Sequence, residues 1–297
     1  MVNTLKQIRN DVNSLASQDY IHKVLGNRAQ EFTTSLLALV SGNTSLQTCT
    51  TQSLMTTAMK AAALGLPLDP NLGFAYPIPY GRTKKYKDEK GNLVTEEYVE
   101  CQLQIGAKGF TQLAIRSNQF KTINVRDVRQ GEIVGEDFIS GTLQFKQLPI
   151  EERLDAPIIG YLAYFELLSG FSKMMYMNVK ELLAHATKYS QSYRADIEGQ
   201  KKYGIKYVNK SLWNTDQPAM CSKTVLKLLL AKYAPLSVQM QEALKADQSV
   251  EDEDGQLQYV DNPGGVEEAV EVEVAEEANK EHLPEEKQEG GDETLFN

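Results

Sequence analysis

The chain has 297 residues, of which 41% are hydrophobic and 24% charged, and its formal net charge at pH 7 is −9. It contains no run of roughly 18 to 20 apolar residues such as spans a bilayer, and its N-terminal sequence, MVNTLKQIRN, lacks a signal-peptide core. We therefore expect a cytoplasmic protein that has a sizeable hydrophobic core and no membrane partner.

The charge is distributed unevenly. Residues 248–297 contain 17 acidic residues and two lysines, a balance of −15, whereas residues 1–247 contain 29 basic and 23 acidic residues, a balance of +6. The acidic segment is poor in apolar residues and is interrupted by glycine and proline, so we predict that it is disordered. Its last residues, GDETLFN, are typical of a short peptide that docks on a partner protein. A basic body favours a polyanionic partner.

The sequence lacks the motifs that are typical of several classes of enzyme. The three cysteines and three histidines are scattered, whereas structural zinc needs clustered ligands, so we expect no metal site and buried, incidental thiols. The phosphate-binding pattern GxxxxGK[ST] is absent. The compact triplet Asp88–Lys90 has the residue types of a nuclease site, but it lies on a predicted hairpin tip that lacks rigid positioning. The sequence therefore predicts a protein that is not an enzyme.

Residues 1–45 predict an N-terminal helical region that makes subunit contacts. Apolar residues recur at helical spacing in two stripes, from Leu5 to Leu15 and from Phe32 to Val40. A connector rich in serine and threonine follows and supplies N-caps for the next helix.

The segment from Leu64 to Gly81, LGLPLDPNLGFAYPIPYG, predicts a helix end followed by a strand. Gly65 suits the C-terminus of a helix, and the prolines that follow prevent its continuation. The alternation from Phe74 to Tyr80 predicts an edge strand, since Pro77 and Pro79 cannot donate ladder hydrogen bonds. We expect a charged hairpin tip from Arg82 to Glu97 and a return strand from Tyr98 to Ile105.

A polar-faced helix is predicted next. Lys108, Gln112 and Arg116 are four residues apart and therefore share one face, while Phe110 and Leu113 point to the other. Two cations, an amide and a glycine-bearing N-terminus suit a polyanion backbone. The alternative is the solvated side of an ordinary amphipathic helix.

Strands dominate the middle of the chain. Residues 120–128 predict a strand, in which Lys121 and Arg126 add cations, and residues 132–145 predict further short strands. Residues 149–155 are predicted to form a loop. Ser169-Gly170 is a hairpin turn between two apolar runs, 157–168 and 171–179, which we expect to be buried on both faces.

The stretch from Lys188 to Lys210 interleaves cations with tyrosines and small hydroxyl residues, as single-strand binding grooves do. It equally fits a solvated loop. A capped helix then begins near Pro218, and Lys223 and Lys227 share one of its faces. Trp213 just before it suits either core packing or base stacking. The whole pattern predicts an α+β fold in which antiparallel strands and hairpins pack against helices.

Three motifs follow one another along the chain: LGLPLDPNLGFAYPIPYG from Leu64, CQLQIGAKGFTQLAIRS from Cys101, and the spaced residues Trp213, Met220, Lys223 and Thr224. In this order they resemble the RecT family of phage single-strand annealing proteins, and their match indicates a member from a phage or prophage of a Gram-positive bacterium. The resemblance extends roughly from Leu46 to Asp247, and alanine at position 107 is a minor departure from the expected glycine.

The resemblance implies that residues 46–247 form a DNA-binding core that coats single-stranded DNA as a homo-oligomeric ring or helical filament. It implies annealing of complementary strands in recombination without ATP or another cofactor. It also implies a phage exonuclease as partner, and we extend this expectation to the host single-strand binding protein. An alternative function is an oligomeric scaffold that recruits recombination or replication proteins through its acidic segment.

The expected mechanism is a cationic groove, shared along the oligomer, that neutralises phosphates and leaves base edges exposed. Replacing Lys223 or Arg116 by alanine is expected to weaken binding similarly across sequences. The predicted phosphate contacts are Lys108, Arg116, Lys121, Arg126, Lys188, Arg194, Lys206, Lys223 and Lys227, and the predicted polar or stacking neighbours are Gln112, Ser192 and Tyr193.

Overall fold

A computed structural model describes residues 4–87, 92–139, 141–247, 249–251 and 257–259. Helices and antiparallel strands are mixed along the chain, which confirms the predicted α+β class. The helices are α1 Leu5–Val12, α2 Leu15–Leu25, α3 Ala29–Gly42, α4 Thr51–Ala63, α5 Ala107–Arg116, α6 Ile150–Asp155, α7 Val179–Tyr189, α8 Gln191–Tyr203, α9 Leu212–Thr215, α10 Gln217–Tyr233 and α11 Val238–Ala246. The strands are β1 Ala75–Lys87, β2 Leu93–Ile105, β3 Phe120–Arg129, β4 Ile133–Asp137, β5 Thr142–Phe145, β6 Ile158–Leu167, β7 Ser172–Asn178, β8 Ser249–Glu251 and β9 Leu257–Tyr259.

The N-terminal helices bury their apolar stripes against α4 and the end of β2. Ile8 of α1, Val40 of α3 and Leu54 of α4 share one core cluster with Cys101 of β2. The side chains of Cys49 and Cys101 hydrogen-bond to each other, and this bond together with burial raises the pKa of Cys101. All three cysteines are buried, as predicted.

The β1–β2 hairpin is longer than predicted. Its strands pair from Ala75 opposite Ile105 to Lys87 opposite Leu93, so most of the predicted charged tip is strand, and the triplet Asp88–Lys90 lies outside the described residues. The physical reason is that opposite charges pair across the strands. The guanidinium of Arg82 lies 3.1 Å from the carboxylate of Glu100, a kind of cross-strand pair that stabilises a sheet by about 0.2–1 kcal/mol.

Two glycines bring α5 close to the start of β1. A Cβ atom on Gly109 would lie 2.2 Å from the carbonyl oxygen of Phe74, and one on Gly106 would lie 2.6 Å from that of Gly73. The amide of Gly106 also donates to the carbonyl of Phe74 at 2.9 Å. Any larger residue at these two positions would push α5 away from the hairpin.

Strands β3, β6 and β7 form an antiparallel sheet with β6 in the centre and α10 packed on one face. Phe165 and Ala163 of β6 are fully buried on that face. The expectation of burial on both faces is wrong, because β7 is an edge strand in the described sheet and Tyr164 and Tyr176 on the opposite face are half-exposed.

Residues 150–155 form helix α6, where a loop was predicted. Glu151 and Glu152 in the first turn favour the helix. Arg153 then joins it to neighbouring segments through Asp127 of β3 at 3.0 Å and Glu132 at 2.7 Å. The helix therefore depends on carboxylates more than 20 residues away, which local rules do not detect.

The fold continues past residue 247, where the predicted disordered segment begins. Strands β8 and β9 pair as a short antiparallel hairpin within that segment. The rest of residues 248–297 lies outside the described residues.

Candidate nucleic-acid interface

The polar face of α5 carries the predicted residues in two different environments. Lys108 is exposed and Gln112 half-buried. The guanidinium of Arg116 instead donates hydrogen bonds to the carbonyls of Leu64 and Gly65, each at 3.0 Å. These carbonyls belong to the C-terminus of α4, so Arg116 satisfies groups that a helix end leaves unpaired.

The two predicted phosphate contacts on β3, Lys121 and Arg126, are exposed and each has a carboxylate neighbour. Lys121 Nζ lies 2.7 Å from Glu166 of the adjacent strand. Arg126 lies 3.7 Å from Glu132, which is bound more closely by Arg153. The Lys121–Glu166 pair lies at the surface, where ion pairs contribute little stability, so a phosphate can compete for Lys121. Glu132 is buried, and Arg126 is its exposed and more distant partner.

The ammonium groups of Lys223 and Lys227 both bind Asp247. Lys223 Nζ lies 3.0 Å from Oδ1, Lys227 Nζ lies 2.7 Å from Oδ2, and the amide of Ile105 donates to Oδ1 at 2.7 Å. Burial by itself would raise the pKa of Asp247, but the two lysines lower it below its ordinary value. In the single chain Asp247 therefore joins the end of α11 to α10 through the two lysines and to the end of β2 through the amide of Ile105. A role of the lysines as phosphate contacts stays a prediction.

Lys188 and Lys227 are both close enough to His185 on α7 to influence its titration. Burial, with the charges of Lys227 and Lys188, lowers the pKa of His185 to about 4. The imidazole is therefore neutral near pH 7, and the positive charge of this surface comes from the lysines. Lys188 Nζ also lies 5.0 Å from the ring centre of Tyr189.

The junction of α7 and α8 is built by three of the predicted residues. The guanidinium of Arg194 donates to the carbonyls of Thr187 and Lys188 at 3.1 and 2.7 Å, which caps α7. Ser192 donates to Ser211 at 3.3 Å. Tyr193 packs against the buried Trp213 with ring centres 6.2 Å apart, so Trp213 is a core residue.

A buried carboxylate, Asp196, fixes the segment after α8. It accepts hydrogen bonds from the amides of Lys210 and Ser211, from the side-chain amide of Asn214, and from the hydroxyl of Tyr207. Burial would raise the pKa of Asp196, but these hydrogen bonds lower it. The lysine-rich stretch is therefore anchored. It is helical as far as Lys206, whereas residues 207–210 have no regular secondary structure.

Lys206 lies in a short 3-10 turn, Gly204–Lys206, directly after α8. Residues 201–210 contain four lysines and no carboxylate, and all four lysines are exposed. The rings of Tyr203 and Tyr207 are nearly parallel here, with centres 6.4 Å apart and an interplanar angle of 9°. We call residues 201–210 the lysine–tyrosine segment.

Sequence reasoning missed the two carboxylates that organise these cations. Asp247 contacts residues 20 and 24 positions away and an amide 142 positions away. Asp196 is one of two acids in the basic stretch, the other being the exposed Glu198, and nothing in the sequence distinguishes the buried carboxylate from the exposed one.

Among the described residues, no group of three or more histidine, cysteine or acidic side chains is arranged to hold a metal ion. None of the described helices combines the length and the apolar character needed to cross a bilayer. Fold and surface together define an α+β protein with exposed lysines and tyrosines.

Comparison with known proteins gives the family. The model of the RecT family matches residues 30–261, so this chain belongs to the RecT family. "Uncharacterized protein YqaK" of Bacillus subtilis (strain 168) is 36% identical over 222 residues, which cover 75% of this chain and 65% of the relative. "Protein RecT" of Escherichia coli (strain K12) is 29% identical over 204 residues, which cover 68% of this chain and 65% of that protein. The matched region thus spans about 65% of each relative.

Proposed function

We propose that this chain binds single-stranded DNA and anneals complementary strands without ATP, as part of phage homologous recombination. The observation that carries the proposal is its membership of the RecT family over residues 30–261. That region includes every predicted DNA contact and the lysine–tyrosine segment. The excess of positive charge in residues 1–247 supports a polyanionic partner.

The proposed contact surface combines exposed cations from several elements. Lys108 on α5, Lys121 and Arg126 on β3, Lys188 on α7 and Lys206 after α8 all lie at the protein surface. Their ammonium and guanidinium groups neutralise phosphates without reading base identity. Two strands repel each other until their charge is neutralised, so a shared cationic surface lowers the barrier to their encounter, and base pairing provides the driving force.

We propose further that the active form is a homo-oligomer. The tip of the β4–β5 hairpin supports this, since Phe138 is 97% exposed and the adjacent Ile139 98% exposed. Two neighbouring apolar side chains so fully exposed are unusual in a monomer and typical of an interaction site. A phage exonuclease and the host single-strand binding protein are the proposed further partners, acting in the bacterial cytoplasm.

The direct test is annealing of two complementary oligonucleotides added one after the other to the purified protein without nucleotide, followed by fluorescence quenching. The expected result is pairing much faster than for free strands and a protein–duplex product that persists. If pairing is no faster than without protein at low and moderate salt, the annealing function is wrong.

A charge variant tests the contact surface in the same preparation. Replacing Lys206 by glutamine should weaken single-strand binding equally across sequences and reduce the salt slope, log Kobs against log salt, by about 0.7 for one lost phosphate contact. Lys23→Gln, an exposed lysine of α2, is the matched control and should leave the slope unchanged. An unchanged slope for Lys206→Gln would remove this residue from the surface.

A further inference from the structure

The exposed ring of Tyr203 is the most unusual feature of the lysine–tyrosine segment. Tyr203 is the last residue of α8 and 56% exposed. Its neighbour Tyr207 is fixed from both sides. On one side, Gly199 has no side chain and so leaves room for the Tyr207 ring, since a Cβ atom on Gly199 would lie 2.2 Å from the nearest ring carbon. On the other side, the Tyr207 hydroxyl donates to Asp196 at 3.1 Å.

This arrangement keeps the ring pair in place. Asp196 is 1% exposed and is itself bound by backbone amides, so Tyr207 stands on a buried support. Tyr203 lies nearly parallel to Tyr207. A ring that is already ordered loses little conformational entropy when a ligand stacks on it.

The charges around the ring identify the ligand class. Lys202 Nζ lies 5.1 Å from the Tyr203 ring centre, and the exposed lysines 201, 206 and 210 belong to the same segment. Four like charges within ten residues repel one another. A polyanion relieves this repulsion, and an exposed aromatic ring among cations suits a polyanion that also carries flat, apolar groups.

We propose that Tyr203 stacks on a nucleobase of single-stranded DNA while the lysines of the lysine–tyrosine segment bind the adjoining phosphates. This inference rests on the proposed function and adds the residue that contacts the bases. The flexible side chain of Lys202 moves from the ring to a phosphate as the base arrives. Duplex DNA keeps its bases stacked on one another, so this contact favours the single strand.

The test compares two oligonucleotides of equal length and charge, one of thymidines and one made wholly of abasic sites. Full-length wild-type protein should bind the thymidine strand more tightly. Tyr203→Leu should lose at least about fivefold in affinity for the thymidine strand and almost nothing for the abasic strand. Tyr203→Phe, which keeps the ring, should retain wild-type discrimination.

Tyr20→Leu is the matched control, because Tyr20 on α2 is 54% exposed and belongs to another surface. It should leave both affinities unchanged. If Tyr203→Leu discriminates between the strands as wild type does and still anneals, stacking at Tyr203 is wrong while the proposed function stands. If the variant changes only assembly, the segment contacts another protein chain and the proposal is likewise wrong. If wild type binds neither strand, the proposed function itself fails.

Discussion

At the scale of single residues, Asp247 is the side chain whose replacement we expect to lower the stability of the fold most. It is a fully buried carboxylate that pairs with Lys223 and Lys227 and with a backbone amide of β2. Lys223 is only 5% exposed, and its ammonium lies 3.0 Å from the carboxylate of Asp247. Breaking a buried ion pair by removing one of its charges is strongly destabilising.

Replacing Asp247 by asparagine should therefore lower the free energy of unfolding by about 3–5 kcal/mol. The single tryptophan, Trp213, is buried and reports unfolding in urea through its fluorescence. Glu242→Gln is the control, since Glu242 and its partner Lys245 are about 60% exposed and their pair contributes less than about 1 kcal/mol. Protein concentration must be equal in all samples, because self-association shifts apparent stability. Equal stability of the two variants would contradict the role of Asp247.

The same carboxylates predict a dependence of stability on pH. The pKa values of Asp247 and Asp196 are lower in the folded state than in the unfolded chain, where aspartate titrates near about 3.9. Their stabilisation is therefore fully present above that value and is lost as the pH falls through the folded-state pKa. Urea unfolding should show a free energy that falls between about pH 5 and pH 2, and Asp247→Asn should make this fall less steep. A parallel curve for the variant would exclude Asp247 as a contributor.

At the scale of secondary-structure elements, local chemistry predicted the turns and caps well. Gly65 follows α4 with a φ of +63°, and Gly170 closes the β6–β7 hairpin with a φ of +88°. Asp216 caps α10 through the amide of Ala219. Each of these features depends on residues within a few positions, so the sequence contains the whole signal.

Elements stabilised by distant partners could not be predicted in the same way. Helix α6 depends on Asp127 and Glu132, and the long β1–β2 hairpin depends on pairing between strands whose charges resemble a loop. For the candidate site, helical spacing correctly placed Lys223 and Lys227 on one face, but it could not show that Asp247 lies there. Spacing defines a face, and only the tertiary structure defines what that face contacts.

The β4–β5 hairpin gives a prediction about assembly. Changing both Phe138 and Ile139 to serine should leave the monomer fold intact, because these side chains are almost fully exposed and contribute little to the core. The change should reduce the size or fraction of oligomers, measured by light scattering after size-exclusion chromatography and by negative-stain electron microscopy.

Leu15→Ser controls for the loss of surface apolarity in general, since Leu15 at the start of α2 is 88% exposed. It should assemble as wild type does. Unchanged assembly of the hairpin variant would mean that Phe138 and Ile139 are not a subunit contact.

At the scale of the whole molecule, the separation of charge is the main feature. Residues 1–247 are basic and residues 248–297 strongly acidic. We expect the acidic segment to compete with DNA for the proposed contact surface, since its carboxylates carry the same sign of charge as DNA phosphates. Such competition is electrostatic and weakens as salt screens it, with a Debye length of about 10 Å at 0.1 M.

Deleting residues 264–297 removes 12 acidic residues and two lysines and retains the compact unit that extends to Pro263. We expect tighter binding to single-stranded DNA at low salt, a difference from wild type that shrinks as salt rises, and annealing that persists. Fluorescence anisotropy over a range of salt concentrations measures the affinity and its dependence on salt.

A full-length variant in which the same 12 acids are replaced by glutamine or asparagine keeps the length of the segment. It should behave like the deletion variant, because charge causes the effect. If the deletion variant binds DNA no better than wild type at low salt, the acidic segment does not compete for the proposed contact surface. If the variant no longer anneals, the proposed activity does not reside in the folded body alone.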